Sequence, residues 1–417
     1  MKKYDVAVIG GGAAGLFCAG HLGQNGLSVA LIERNEKVGR KLLITGKGRC
    51  NITNMSDKNE LISALTKNSK FMYSAFSAFD AYDTIDFFES HGVPIKVERG
   101  NRVFPVSDRA MDVVDCLYDF VLKNNVDIIN QRVTDLEFMS GKISAVCLEK
   151  GEKVECDNVV IATGGKSYPK TGSTGDGYDF AKKSGHNIIK PVGSLVPINV
   201  MEGDAAQMQG LSLKNVSLKV EDTITKKTVY TDFGEMLFTH FGLSGPMILS
   251  ASAHIRDCKK EQYKIHIDLK PALDNEKLDA RILRDFSESS NKILLNSLSK
   301  LLPSKMIPVI IKRSGINDKI KVNQITREQR EQLVNAIKDL SFNVTSLRPV
   351  EEAIITSGGV DVAEIYPKTM QSKLCENLYF AGEVIDVDAY TGGYNLQIAF
   401  STAFSAAKAI NEKTKEK

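Results

Sequence analysis

Residues 4–33 read YDVAVIGGGAAGLFCAGHLGQNGLSVALIE, and the order of their parts decides the fold. Tyr4–Ile9 is short and apolar, as a parallel strand covered on both faces must be. Gly10, Gly12 and Gly15 follow in GxGxxG spacing and open an apolar helix carrying Leu16, Phe17 and Leu22. A second strand, Leu27–Ile32, ends on Glu33. Each part has a physical task in holding a dinucleotide. Gly10 permits the tight turn, Gly12 lets the backbone approach a pyrophosphate, and Gly15 lets helix and strand pack closely. The helix N-terminus, with the small Ala14 in its first turn, offers unpaired N–H groups to phosphate. Glu33 stands where it accepts hydrogen bonds from an adenosine ribose, with Arg34 beside it as a further contact. An acid there favours a free ribose over a 2′-phosphate, but it does not separate FAD from NAD.

Three further segments favour FAD. Residues 38–54, VGRKLLITGKGRCNITN, join Gly46 and Gly48 to the bases Arg40, Lys41 and Arg49. Such a stretch, continuing to Asn51, suits the pyrophosphate and flavin ring of a long cofactor. Asn158–Gly165, NVVIATGG, is a strand whose small terminal residues, Thr163 and Gly164 among them, leave room for the cofactor. It follows strand candidates at Asp127–Ile129 and Ile143–Leu148, with Val133 placed for a backbone contact to adenine or, equally, as plain core. The third segment is far downstream: Asn377–Ala381, then Gly382 and Glu383, then AYTGGYNLQ at 389–397 opening a last helix. Glu383 is expected to hold the ribityl chain. Gly393, Tyr394, Asn395, Leu396 and Gln397 are expected at the flavin N1/O2 edge, where a helix N-terminus stabilises negative charge. An NAD domain has no need of such a return.

These segments, with ATGGKSYPKTGSTGDGY at 162–178 and FTHFGLSGP at 238–246, resemble a bacterial flavoprotein family, the NAD(FAD)-utilising dehydrogenases. That family includes aminoacetone oxidase and flavoproteins linked to bile-acid dehydroxylation. The resemblance spans nearly the whole chain and implies an FAD-dependent oxidoreductase whose middle domain covers the flavin. A more distant likeness, through ATGG and TGDG, is to the flavoprotein subunits of fumarate reductase and succinate dehydrogenase. Their substrate Arg/His set has no counterpart here, so fumarate chemistry is not implied.

The expected architecture is α/β: a Rossmann-like FAD-binding domain from 1–191 and 367–417. A β-rich domain (192–270 and 338–366) is inserted into it and itself carries a helical insertion (271–337). Alternating stretches at Leu195–Val200, Val216–Val220, Thr228–Thr231, Lys264–Leu269, Ser341–Thr345 and Glu352–Thr356 read as strands. Asp274–Phe286 and Lys292–Leu302 read as helices, and Thr326 with Gln329 forms a capping box for another. No second GxGxxG appears between Pro191 and Pro349, so a permanent nicotinamide domain is not expected. NAD(P)H enters only as a transient reductant; oxygen-linked oxidation of a small amine or aminoketone is the other route, and a non-enzymatic flavin-binding redox protein the rival from another class.

A net charge of +3 over 417 residues and the absence of basic–aromatic interleaving disfavour a flavin-dependent RNA-modifying protein and suggest a small-molecule substrate rather than nucleic acid. The Lys-rich stretch Asp257–Lys338 carries acids among its bases and reads as a solvated face. Lys2 and Lys3 precede an apolar run, but Asp5 interrupts it, and no stretch has the ~18 apolar residues of a membrane helix. A soluble, cytoplasmic protein is expected. Seven cysteines, without a CxxC pair or a Cys/His cluster, fit reduced thiols and no metal site. Cys50 is expected to be a small packed side chain rather than a redox thiol. A flavin carries its own chemistry, so a catalytic acid or base is optional. His240, Tyr168 and Tyr390 are the side chains to weigh for that role, each against a purely structural one. Nothing in the sequence signals an oligomeric state.

Overall fold

The computed structural model describes residues 3–255 and 261–415. Two compact units emerge, one from Met1–Ser194 with Pro349–Lys417, the other from Leu195–Arg348.

The first unit is built on a mixed sheet. Its parallel part runs Asp127–Ile129, Val29–Ile32, Lys3–Ile9 and Lys153–Ile161, with Leu378–Phe380 also parallel to the last. Lys142–Leu148 and Val133–Met139 continue the sheet antiparallel. Val6, Ala7 and Val8 are fully buried, which explains the apolar run of the first strand. Helix Ala13–Gln24 packs on the closing helix Tyr394–Lys415, where the Phe17 and Phe400 rings lie 5.1 Å apart. The last 69 residues therefore complete the unit that the first 33 begin.

The second unit is a closed six-stranded barrel. Around it run Ile198–Val200, Gly242–Ser244, Lys227–Phe238, Ser212–Asp222, Tyr263–Asp268 and Leu340–Leu347. Helices Asn275–Ser287, Ile307–Ser314 and Arg327–Lys338 bury Ile282, Ile310 and Ile337 in the same core as Val220, Ile265 and Phe342 of the barrel.

Three expectations need correction. Residues 349–366 belong with the first unit, because Ile355–Val360 pairs antiparallel with Ile188–Ser194. The helical insertion 271–337 is not a domain of its own, since Ile282, Ile310 and Ile337 share one core with the barrel strands. Within it, only Leu294–Ser297 of the expected Lys292–Leu302 helix is helical. Ile293 is extended and bridges Lys321 instead, and the Leu294 N–H donates to the Ile320 carbonyl at 2.8 Å. Once that cross-chain pairing takes the backbone groups, the helix has no first turn to grow from.

Candidate functional site: a cavity lined from both ends of the chain

The GxGxxG turn is held by close packing. Gly10 has φ +106°, and a Cβ there would lie 2.6 Å from the Ala162 carbonyl oxygen. A Cβ on Gly15 would lie 1.7 Å from the Gly10 oxygen, so helix and turn meet at a distance only glycine permits. At Gly12 the opposite holds: a Cβ would meet nothing within 4 Å. Gly12 is also the N-cap of Ala13–Gln24, and no side chain caps that helix. Gly10, Gly11, Gly12, Ala13 and Ala14 line a cavity, which puts this uncapped helix start on its wall.

This cavity encloses about 1300 Å³, open mouth included. At one part of it Glu33, 7% exposed, accepts from the Gly11 N–H at 2.7 Å and from the Asn35 N–H at 2.8 Å. Asn35 is in turn held by Arg40, whose Nη1 donates to Oδ1 at 2.8 Å. Arg34 donates to Thr174 Oγ1 at 2.6 Å, and Arg132 Nε to Asp176 at 2.9 Å. Burial by itself would raise the Asp176 carboxyl, but hydrogen bonds from Arg132 and Thr174, with Arg34 nearby, hold it below the usual range.

Elsewhere on the lining, three segments converge on Glu383. Lys41 Nζ donates to Oε2 at 2.6 Å, and Oε1 accepts from Ser167 Oγ at 2.9 Å and the Thr356 N–H at 2.8 Å. Thr356 Oγ1 accepts from the Lys166 and Ser167 N–H groups at 2.8 and 3.0 Å. Asn395 folds back on the loop before it, donating to the Ala389 oxygen at 2.8 Å and accepting from its N–H at 2.9 Å. Two residues of the lining carry a polar atom buried without a hydrogen-bond partner, Thr163 Oγ1 and Gln131 Oε1, and Asn51 Oδ1 off the lining is a third.

Of the residues singled out in the sequence, Gly10, Gly12, Ala14, Glu33, Arg34, Arg40, Lys41, Val133, Thr163, Gly164, Gly382, Glu383, Asn395 and Leu396 line this one cavity. The others do not line it. Gly15 packs behind the turn. Gly46 and Gly48 lie in the Leu42–Gly48 turn, and Gly393 packs on the Thr53 carbonyl. Tyr394 starts the closing helix with its ring against Gly392. Arg49 pairs with Glu98 and Asp108 and lies 4.1 Å over the Phe104 ring. Gln397 is fully buried, accepting from Thr53 at 2.6 Å and Thr84 at 2.8 Å, so it braces the interior instead of a cofactor edge.

Cys50 is enclosed, and burial pushes its thiol up to about 12, the state of an inert packed cysteine. Cys18, Cys116, Cys147, Cys156 and Cys375 are free as well; Cys258 lies outside the described residues. Tyr168 caps the Pro169–Thr171 turn, and the Tyr390 N–H donates to the Ala64 carbonyl at 3.1 Å. Neither lines the cavity. His240 is exposed in the second unit, on the turn where the Thr239 N–H bonds the Gly242 oxygen at 2.8 Å.

Sequence reasoning passed over Thr171–Asp176, Lys37, Thr45, Gln131, Arg132 and Ile354–Ile355, all on the lining. The Gly-rich run TGSTGDG at 171–177 was a usable signal for the first of these. Ile354–Ile355 had none. Among the described residues, no helix is long and apolar enough to cross a membrane.

The chain is similar in sequence to proteins with two kinds of name. It is 33% identical to a protein of Haemophilus influenzae named Ribosomal RNA dihydrouridine synthase, over 99% of this chain and 100% of that one. It is 32% identical to a protein of the same name from Escherichia coli, over 98% of each. A 3-dehydro-bile acid delta(4,6)-reductase of Clostridium scindens is 29% identical over 98% of this chain and 99% of that one. The exclusion of nucleic acid drawn from net charge therefore has no support. In fold, the chain is similar to a 3-ketosteroid-delta4-(5alpha)-dehydrogenase of Rhodococcus jostii, with TM-score 0.53, 13% identity, and 98% and 97% of the two chains covered. The family model described as "HI0933-like protein Rossmann domain" matches residues 4–409, and the chain belongs to that family of FAD-dependent oxidoreductases.

Proposed function

We propose that this chain binds FAD in the cavity of its first unit and reduces a ring C=C bond conjugated to a carbonyl, with uracil in ribosomal RNA as the substrate. What carries the substrate reading is the end-to-end similarity to two proteins named Ribosomal RNA dihydrouridine synthase. The third relative's name points to the same reaction class, since a delta(4,6)-reductase also saturates a C=C bond.

Three features of the cavity suit FAD. The helix behind Gly12 has unpaired N–H groups and no side-chain cap, which suits a pyrophosphate. Glu33 lies at the end of the second strand, where a ribose hydroxyl can donate to its carboxylate. Thr163 Oγ1 is a buried hydroxyl still in need of a partner. In this reading Gly10, Gly12, Ala14 and Gly164 approach the phosphates. Glu33, Arg34 and Arg40 serve the adenosine end, with Val133 beside the adenine. Lys41, Glu383, Asn395 and Leu396 serve the flavin half.

When bound there, FAD would supply hydride chemistry, and saturating the double bond would take one hydride and one proton. The two electrons come from a nicotinamide donor that visits transiently. The chain's own part is to hold Lys41 and Glu383 as a mutually neutralised pair, so that neither charge is left alone in the cavity.

The test is to incubate FAD-loaded protein anaerobically with NADH or NADPH and unmodified ribosomal RNA transcripts, then measure dihydrouridine by mass spectrometry. Dihydrouridine formed only with a nicotinamide supports the reading. No dihydrouridine, together with reduction of a steroid dienone, moves the substrate to the class named for the third relative.

A further inference from the structure

The net charge of +3 conceals an uneven distribution. Residues 195–348 hold 23 Lys and Arg against 18 Asp and Glu, a net of +5; the rest of the chain holds 31 against 33, a net of −2. Residues 291–330 more than account for the excess, with nine Lys or Arg against Asp318 and Glu328 alone, a net of +7.

Most of those nine are already engaged. Lys300 pairs with Glu288, Lys312 and Arg313 with Asp204, Arg327 with Glu331, and Arg330 with Asp279. Lys305 donates to the Gln209 carbonyl at 2.9 Å. Lys292, Lys319 and Lys321 remain, all exposed, with no carboxylate of the described residues within 4 Å. The fold brings these three together. Ile293 bridges Lys321, the Val322 N–H donates to the Lys292 carbonyl at 3.0 Å, and the Leu294 N–H to the Ile320 carbonyl at 2.8 Å. Leu294 and Val322 are buried, so the pairing is anchored in the core while the lysines face water.

We infer that this surface, where residues 292–295 pair with 318–322, binds the phosphate backbone of ribosomal RNA. The inference rests on the RNA reading of the proposed function. Three ammonium groups without an ion pair, against the single carboxylate of Asp318 in the paired segments, gain by sharing a polyanion, whose released counterions add to the binding. Residues 291–325 contain no Phe, Tyr, Trp or His to stack on a base. The surface is therefore suited to positioning an RNA rather than reading its sequence.

The experiment compares FAD-loaded wild type with K292Q/K319Q/K321Q in filter binding to ribosomal RNA transcripts at 50–200 mM salt. Flavin absorbance and the melting temperature report that the variant is folded. The expected result is at least about tenfold weaker binding and a salt slope shallower by about 2–3, from roughly 0.7–0.9 per lost phosphate contact. Wild-type affinity and slope in the folded variant overturn the surface while leaving the RNA reading intact. A wild type that makes no dihydrouridine and binds no transcript overturns both. A wild type that ignores RNA but sediments with anionic phospholipid vesicles also overturns the inference. Should the triple variant fail to fold, K319Q and K321Q singly are each expected to lower the slope by about one unit, and no change in either overturns the surface.

Discussion

Helices Ala13–Gln24 and Arg327–Lys338 are both twelve residues long, one in each unit, and they begin in opposite ways. The second is closed by its own side chains: Thr326 accepts from the Gln329 N–H, and Gln329 accepts from the Thr326 N–H. The first begins on Gly12 with no side chain over its N–H groups. Asp57 and Asp80 close two more helices of the first unit in the reciprocal manner, while Ser69–Ala78, Ala110–Lys123 and Asp176–Lys183 also start without a side-chain cap. What sets the Gly12 start apart from those of Ser69–Ala78 and Ala110–Lys123 is its place on the cavity wall, which it shares with the Gly175 start of Asp176–Lys183. A closed start contributes to stability, whereas an open one keeps its donors and its share of the helix dipole available to a ligand.

The comparison breaks most sharply at Gly12. Gly12→Asp has room for its side chain and supplies the missing cap, so the apoprotein should melt at or slightly above the wild-type temperature. FAD binding should fall by about 100-fold, because the carboxylate takes the N–H donors and repels the pyrophosphate. Flavin titration and thermal melting of the same sample check the opposed signs. Retained FAD affinity would mean that the open helix start is not the phosphate site.

The other end of the same helix supplies a smaller effect. His21 keeps some exposure, but its Nε2 is enclosed, with the ring 4.5 Å from Phe17 and 5.1 Å from Phe120. Burial pushes its pKa down to about 4, so the folded chain holds it neutral while the unfolded chain takes up a proton below the ordinary value of 6.5. Its contribution is therefore fully present above pH 6.5 and is lost as pH falls towards 4, by about 2–3 kcal/mol. Denaturant melts of wild type and His21→Leu between pH 7 and 4 should diverge by that amount in slope, with the variant the flatter. Parallel curves would place the proton uptake on other groups.

The smallest effect is expected at the closed start. Thr326→Ala should cost about 1 kcal/mol of stability in the second unit and leave FAD affinity unchanged. A loss of flavin in that variant would contradict the separation of roles between the two helix starts.

How legible each part was follows from where its information lies. The GxGxxG turn, Glu33 and the Thr326–Gln329 box are local: spacing alone places their groups within reach of one another. Arg49 and Gln397 were misjudged because a polar side chain in a Gly-rich or helix-opening motif has two ways to be satisfied. Here Glu98 and Asp108 claim the first, and Thr53 and Thr84 the second, from 49 to 344 residues away. Residues 349–366 alternate like any edge strand, and only the pairing with Ile188–Ser194 assigns them to the first unit. The Lys-rich character of 257–338 was legible, but the acids among its bases made it read as a solvated face, and only the pairing of 292–295 with 318–322 groups Lys292, Lys319 and Lys321.

By itself the sequence determined the Rossmann-like unit, its completion from the C-terminal segment, the dinucleotide turn and the acid that follows it. These depend on backbone conformation, periodicity and residues a few positions apart. Only the tertiary structure decided which polar groups face the cavity, that Lys41, Ser167 and Thr356 converge on Glu383, and that Lys292, Lys319 and Lys321 share one surface. The physical reason is that a buried donor or charge must find a partner somewhere, and where it finds one is settled by the packing of segments that sequence distance does not bring together.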